Sequence, residues 1–160
     1  MSNSPLVQYT KISHHKTTGR NHMIDTITIH HMAGDLSIET CGNVFQSREA
    51  SSNYGVDSKG RIGMYVEEKD RSWCSSSSSN DDRAITIEVA DSNKKWEISS
   101  QAMASLINLV VDICNRNNIS KLVWSELKAD RISHKNGCNM TVHRDFASTT
   151  CPGDYLYSKM

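Results

Sequence analysis

Apolar residues recur along this chain in two rhythms. From Ser37 to about Arg48, Ile38, Cys41, Val44 and Phe45 fall three or four positions apart, the spacing of a helix with one buried stripe, and Ser37 stands where an N-cap is needed. From Ser100 to about Asn115 the same spacing recurs at Met103, Leu106, Ile107, Val110, Ile113 and Cys114. Ser99 or Ser100 can cap that start, and Asn115 to Asn118 supplies a stop. Both segments predict helices that cover a sheet, with Cys41 and Cys114 as small core residues. The second rhythm is alternation. Ile24 to His31, Asn53 to Asp57, Ile62 to Val66, Ala84 to Ala90 and Met140 to His143 are β-branched runs bounded by turn residues, so five strands are predicted. Ser58-Lys59-Gly60-Arg61 joins the second and third as a tight hairpin. Some strands are adjacent and others are separated by helices, which predicts an α/β fold with a mixed central β-sheet flanked by α-helices.

Three of the strands share a pattern: Thr28-Ile29-His30, Thr86-Ile87-Glu88 and Thr141-Val142-His143. Successive strand side chains point to opposite faces. Ile27 and Ile29 therefore oppose Thr26, Thr28 and His30; Ile85, Ile87 and Val89 oppose Thr86 and Glu88; Met140 and Val142 oppose Thr141 and His143. If the strands are neighbours in phase, one face is a core and the other gathers two histidines and a glutamate. His30 and His31 must point opposite ways. The phase with Thr28 assigns His30 to the cluster and leaves His31 as a hydrogen-bonded structural histidine on the core side.

Composition narrows the function classes. The chain has 160 residues, 18 Lys plus Arg against 18 Asp plus Glu, and a formal net charge of zero. That length predicts one domain, and that balance argues against binding nucleic acid by bulk charge. No apolar run approaches the ~20 residues of a membrane helix, and Met1 to Lys16 lacks the apolar stretch of a secretory signal. The five cysteines (Cys41, Cys74, Cys114, Cys138 and Cys151) are odd in number and irregular in spacing, which points to a reducing compartment rather than a disulfide framework. Residues 1–22 lack periodicity and are expected to drape over the surface as an extension of the domain formed by 23–160. Ser75 to Ser79 reads as a solvated loop between strands, or as a loop that touches substrate. His14, His15, His22 and His134 fall in polar loops, and residues 119–139 form a long charged connection that can border a groove.

His143 ends a strand, and Cys151 follows eight residues later with Pro152-Gly153 behind it. Imidazole and thiolate are both good zinc donors, and catalytic zinc takes three protein ligands plus an open position, which His30, His143 and Cys151 can supply. The same residues suit a nucleophilic hydrolase in which His143 activates Cys151. An inert buried cysteine before a turn is the third option, and spacing alone does not choose among them.

Five segments taken together resemble the zinc N-acetylmuramoyl-L-alanine amidases of type 2, relatives of peptidoglycan-recognition proteins and common as catalytic domains of phage endolysins and autolysins. They are Thr28-Ile29-His30-His31-Met32-Ala33-Gly34, Ala50-Ser51-Ser52-Asn53-Tyr54-Gly55, Asp57-Ser58-Lys59-Gly60-Arg61-Ile62, Ile85-Thr86-Ile87-Glu88-Val89-Ala90, and Val142-His143 with Cys151-Pro152-Gly153. They come in the family's order and run from about Ile24 to Tyr157. The resemblance implies zinc ligands at His30, His143 and Cys151, and a metal groove on one face of the sheet. Glu88 matches the glutamate that relatives place beside the reacting water. The implied reaction is cleavage of the amide between N-acetylmuramic acid and the L-alanine of the stem peptide, with Glu88 as proton acceptor.

There are departures from the family pattern. One branch carries a tyrosine eight residues before the strand-turn glycine; counting back from Gly60 gives Ser52, and Tyr54 reads as a packing residue. The position two before the cysteine, lysine or threonine in relatives, is Thr149, a candidate for oxyanion or substrate contact. Asn53 and Trp73 are candidate substrate contacts, each with a structural alternative: a turn cap for Asn53 and packing on the sheet for Trp73. A peptidoglycan-binding module that does not cut is the rival from another class, and Cys151 argues for catalysis. The resemblance further implies bacterial peptidoglycan as partner, synthesis in the bacterial cytoplasm with action on the wall after release, and a C-terminal wall-binding domain outside this chain.

Overall fold

The computed structural model describes residues 2–92 and 94–160. Eight strands are β1 (Tyr9–Thr10), β2 (Lys16–Thr17), β3 (Thr26–His31), β4 (Tyr54–Val56), β5 (Ile62–Met64), β6 (Arg71–Ser72), β7 (Ala84–Val89) and β8 (Met140–Val142). Among the described residues the five α-helices are α1 (Ile38–Ser47), α2 (Ser78–Arg83), α3 (Ser100–Arg116), α4 (Lys128–Ser133) and α5 (Asp154–Tyr157). Six strands form one sheet in the order β1-β5-β4-β7-β3-β8, and β2 pairs with β6 in a small second sheet. Only β4 and β5 run antiparallel within the main sheet, so it is mixed.

The strand phase inferred from the sequence is the one that forms. In the β3–β7 pairing Thr28 lies beside Thr86 and His30 beside Glu88; in the β3–β8 pairing Thr28 lies beside Thr141. On the opposite face Ile27, Ile29, Ile85, Ile87 and Val89 pack with Ala102, Leu106, Leu109 and Ile113 of α3. Each fully buried aliphatic side chain there contributes roughly 1.5–3 kcal/mol. The buried stripe of α3 is centred on Ala102 and Leu109, and Ile107, expected on the stripe, is 54% exposed. Ser99 caps α3, accepting from Ala102 N–H at 3.0 Å. Ser37 caps α1, accepting from Thr40 N–H at 3.1 Å.

The other face of the sheet is polar and yet buried. Thr28 Oγ1 meets Thr141 Oγ1 at 2.8 Å, and Asn80 bonds both threonines at 3.0 Å. Thr86 Oγ1 meets Ser72 Oγ at 2.8 Å. A buried polar group costs free energy unless it is paired; here short side chains pair with one another beneath a roof made by β6 and α2. The serine run joins the edge of that roof. Ser75 is buried and Ser77 caps α2, while Ser76, Ser78 and Ser79 are exposed and Ser76 to Ser78 line the cleft, so the run is a solvated helix start beside the site rather than a plain loop between strands.

The N-terminal segment also departs from expectation. Its β1 pairs with β5 at the sheet edge, and Arg20 donates to the carbonyls of Glu68, Asp81, Asp82 and Ala84. Through β1, β2 and Arg20 the N-terminal segment is tied into both sheets rather than draped as a tail. Within 119–139 the chain forms α4, whose Arg131 is buried and bidentate to Asp145.

The hairpin between β4 and β5 shows why its loop reads Asp-Ser-Lys-Gly-Arg. Asp57 Oδ1 accepts the N–H groups of Lys59 and Arg61, and Gly60 adopts φ +79°. A side chain at Gly60 would strike the Gln101 carbonyl of α3 at 2.9 Å, so glycine is needed for conformation and for space.

Candidate metal centre

Two strand ends and one loop bring the sequence-selected donors together. His30 is the fifth residue of β3 and 1% exposed; His143 directly follows β8; Cys151 lies at the end of the loop that leaves His143. Arg144 spans that loop, donating to the carbonyls of Thr150 and Cys151, while its guanidinium stacks on Tyr157 at 4.3 Å. One donor atom from each of His30, His143 and Cys151 lies within 4.8 Å of the others. Nδ1 of His30 is 3.5 Å from Cys151 Sγ, and the two imidazole centroids are 5.0 Å apart.

These residues fit zinc. Tetrahedral coordination with bonds of ~2.0–2.3 Å places nitrogen and sulfur donors about 3.5 Å apart, the separation His30 and Cys151 already have. Two imidazoles and one thiol form a recognised donor set with one position left for water or substrate. Burial holds the His30 ring well below the usual imidazole pKa, with His143 and His31 adding to the effect, so the ring is neutral and free to ligate. His143 is lowered as well, by burial and then by Arg48. Burial pushes the Cys151 thiol up. In the absence of a cation, burial disfavours the free thiolate, which speaks against the Cys–His nucleophile reading.

Glu88 stands beside His30 by strand register. Its Oε1 accepts a long contact from the Cys74 thiol at 3.9 Å, and its Oε2 is buried with no hydrogen-bond partner among the described residues. Burial raises its pKa to about 8, with Arg48 opposing and Asp91 assisting. The group opens into a cleft of about 590 Å³ walled by Phe45, Arg48, Trp73, Ser76, Thr149 and the site residues themselves.

The remaining sequence-selected residues divide. Thr149 is on the cleft wall, where its Oγ1 accepts the Cys151 N–H at 3.2 Å. Trp73 lines the cleft, 40% exposed, its indole donating to Thr17 at 3.0 Å. Asn53 lies elsewhere. It is 0% exposed, its Oδ1 accepts from Thr86 N–H and its Nδ2 donates to the Val66 carbonyl, so it cross-links strands beneath the polar face and has no surface to offer substrate. Tyr54 is fully buried with its hydroxyl on Glu68 at 2.6 Å, as a packing residue should be. His31 pairs with buried Asp91 and meets the edge of Trp96, the structural role its phase implies. His15 and His134 are less solvated than their polar surroundings suggest, each with Nδ1 on a backbone carbonyl.

Two groups near the site escaped the sequence reading. Ser76 Oγ bonds His143 Nε2 at 3.1 Å, and Cys74 sits over Glu88. A parity signal existed for Cys74: Ser72 touches Thr86, and two residues on in both segments Cys74 touches Glu88. Reading it requires knowing that β6 lies against β7.

A family model described as N-acetylmuramoyl-L-alanine amidase matches residues 19–154. The chain belongs to this amidase family. Its substrate is peptidoglycan and its reaction is amide hydrolysis. Comparison with curated proteins by sequence gives no match. Among solved structures, the fold is similar to the endolysin N-acetylmuramoyl-L-alanine amidase LysCS of Clostridium intestinale, with TM-score 0.69, 19% identity, and 99% of this chain and 95% of that one covered. The Ph2119 endolysin of a Thermus scotoductus bacteriophage gives TM-score 0.62 and 15% identity over 88% of this chain and 84% of its own. Drosophila peptidoglycan recognition protein SD gives 0.64 and 16%, covering 89% and 82%. At such identities the likeness speaks to the fold alone. Among the described residues no helix is long and apolar enough to cross a membrane.

Proposed function

We propose that this amidase cuts the bond between the lactyl carbonyl of N-acetylmuramic acid and the amine of L-alanine, with one zinc ion held by His30, His143 and Cys151, and that it serves as a phage or prophage endolysin. The observation that carries the reading is the convergence of those three donors within 4.8 Å at the base of an open cleft, with Glu88 in register beside His30. Bound there, zinc supplies an acidified water and polarises the scissile carbonyl.

The chain's own residues do the rest. His30, neutral because it is buried, offers a lone pair without first losing a proton. Cys151 gives up its proton on ligation and adds the single negative charge of the donor set. The unpartnered Oε2 of Glu88 is placed to accept a proton from the attacking water and to hand it on to the departing amine. Thr149 keeps its hydroxyl hydrogen available to the cleft while its oxygen accepts the Cys151 N–H, which supports a contact to the developing oxyanion. Trp73 offers an apolar wall to the glycan or stem peptide.

The test is wall digestion followed by detection of newly exposed L-alanine amino termini, with zinc measured in the same preparation. One zinc per chain, loss of activity on chelation and recovery on adding zinc are expected. Activity that survives chelation and dies with a thiol alkylating agent would instead establish the Cys–His mechanism; wall binding without amine release would establish a recognition module.

A further inference from the structure

We propose that His30, Cys74 and Glu88 form a second cation site that overlaps the first through His30, takes a soft divalent ion such as zinc or cadmium, and switches the amidase off when filled. One donor atom from each of the three lies within 4.8 Å of the others. Nδ1 of His30 is directed at Cys151, which leaves Nε2. That nitrogen belongs to a ring 1% exposed and has no partner. Among the described residues, the buried side-chain nitrogen and oxygen atoms without a hydrogen bond are this Nε2 and Oε2 of Glu88, and both belong to this triad. Unpaired buried polar atoms are costly, and a cation is one partner that satisfies nitrogen, carboxylate and sulfur together.

The donor set fixes the class of ion. A thiolate with an imidazole selects zinc and its soft congeners over magnesium or calcium, and thiolate plus carboxylate balances a divalent charge. As the ion binds, the Cys74 thiol proton and the Nε2 proton of His30 both leave to solvent, so that with both sites filled the His30 ring bridges the two ions as an imidazolate. Cys74 and Glu88 both line the cleft, so an ion can enter from solvent. Cys74 follows β6 outside any helix or strand, which lets its sulfur close the last ångström to coordination distance. The inhibitory half of the proposal rests on the function proposed above, because the ion occupies the carboxylate that must accept the proton. The binding half does not.

The experiment uses cadmium and zinc as probes. Metal-free Cys151→Ser protein, whose first site has lost its thiolate, is titrated with cadmium while sulfur-to-cadmium charge-transfer absorbance is followed. One equivalent is expected to give a thiolate band that disappears in Cys74→Ser/Cys151→Ser. In wild type two equivalents give two thiolate contributions and in Cys74→Ser one, a comparison that holds even if Cys151→Ser folds poorly. In the activity arm, zinc beyond the first equivalent inhibits wild type, and Cys74→Ser raises the inhibitory concentration at least about tenfold, in line with loss of a first-sphere ligand. Cadmium bands unchanged by Cys74→Ser overturn the site; unchanged zinc inhibition overturns its regulatory role. If instead the zinc-amidase reading fails, the Cys74-dependent band persists in a protein without zinc-dependent activity, so the two failures are distinguishable.

Discussion

Replacing Glu88 by glutamine has two consequences of opposite sign, and both follow from its placement. In the folded, metal-free protein, burial moves the carboxyl from 4.5 to about 8. The folded state therefore binds more protons than the unfolded state between those values, and stability falls as pH rises across that window. At about 1.4 kcal/mol per pH unit, and discounting for the side of Glu88 that faces the cleft, ionisation costs about 3 kcal/mol above pH 8. Glutamine removes the cost. Metal-free Glu88→Gln should match wild type near pH 4 and melt roughly 6–12 °C higher near pH 9. His30 pulls the other way: its depressed pKa gives stability that is lost as pH falls below 6.5, but this affects both proteins and cancels in the difference. With zinc restored, the same variant should keep its metal and lose about 10²–10⁴-fold in turnover, the usual worth of a positioned proton acceptor. Differential scanning calorimetry of the chelated proteins and amine release by the reconstituted ones are the measurements. Superimposable melts at every pH would refute the burial argument, and undiminished turnover would refute the catalytic one.

Other substitutions probe the frame around the site. Cys151→Ser should weaken zinc binding at least about 100-fold, since even groups that only support a ligand cost 10–100-fold; competition with a chromophoric chelator reads this directly. Because the Cys151 proton must leave, wild-type zinc affinity should rise about tenfold per pH unit in the neutral range, with the slope lost in Cys151→Ser. Arg131→Met leaves Asp145 buried and unpaired, and Asp145 also accepts the N–H of Val142, the residue before His143. A loss of about 3–5 kcal/mol in urea unfolding is expected. Ser99→Ala removes the α3 cap and its bond to the Ser58 carbonyl, for a loss of about 1 kcal/mol by the same assay.

The metal group could be anticipated from sequence because alternation in strands is strict. Once Thr28-Ile29-His30 and Thr86-Ile87-Glu88 are strands in phase, the parity of each residue decides its face, and parity separates His30 from His31 without any tertiary information. The same parity marks the apolar face that receives α3. What parity cannot carry is the identity of the neighbour. Two-residue strands such as β1 and β6 hold too few positions for a period, and they exist because β5 and β2 present unpaired backbone to them. Asn53 failed as a substrate contact for a related reason. A polar residue beside a strand reads as a turn cap or a surface contact, and only the neighbouring strand shows that Asn53 is buried on Thr86 and the Val66 carbonyl. Ile107 was misplaced because Met103, Leu106 and Val110 are as compatible with a stripe through Ile107 as with one through Ala102 and Leu109, and only the sheet's position breaks the tie.

The roof links these misreadings to the chemistry. Ser72, Ser76 and Asn80 bond the threonines and His143 from above, so among the described residues the buried side-chain nitrogen and oxygen atoms without a partner are those of His30 and Glu88. A hydrogen-bonded layer of this kind holds the strands in one register, since a one-residue slip would present isoleucine to Asn80 and threonine to α3. It also concentrates unmet coordination where the cleft opens. Cys74, which follows β6, stands there against Glu88 on the cleft wall, where its sulfur and that carboxylate can face the same cation.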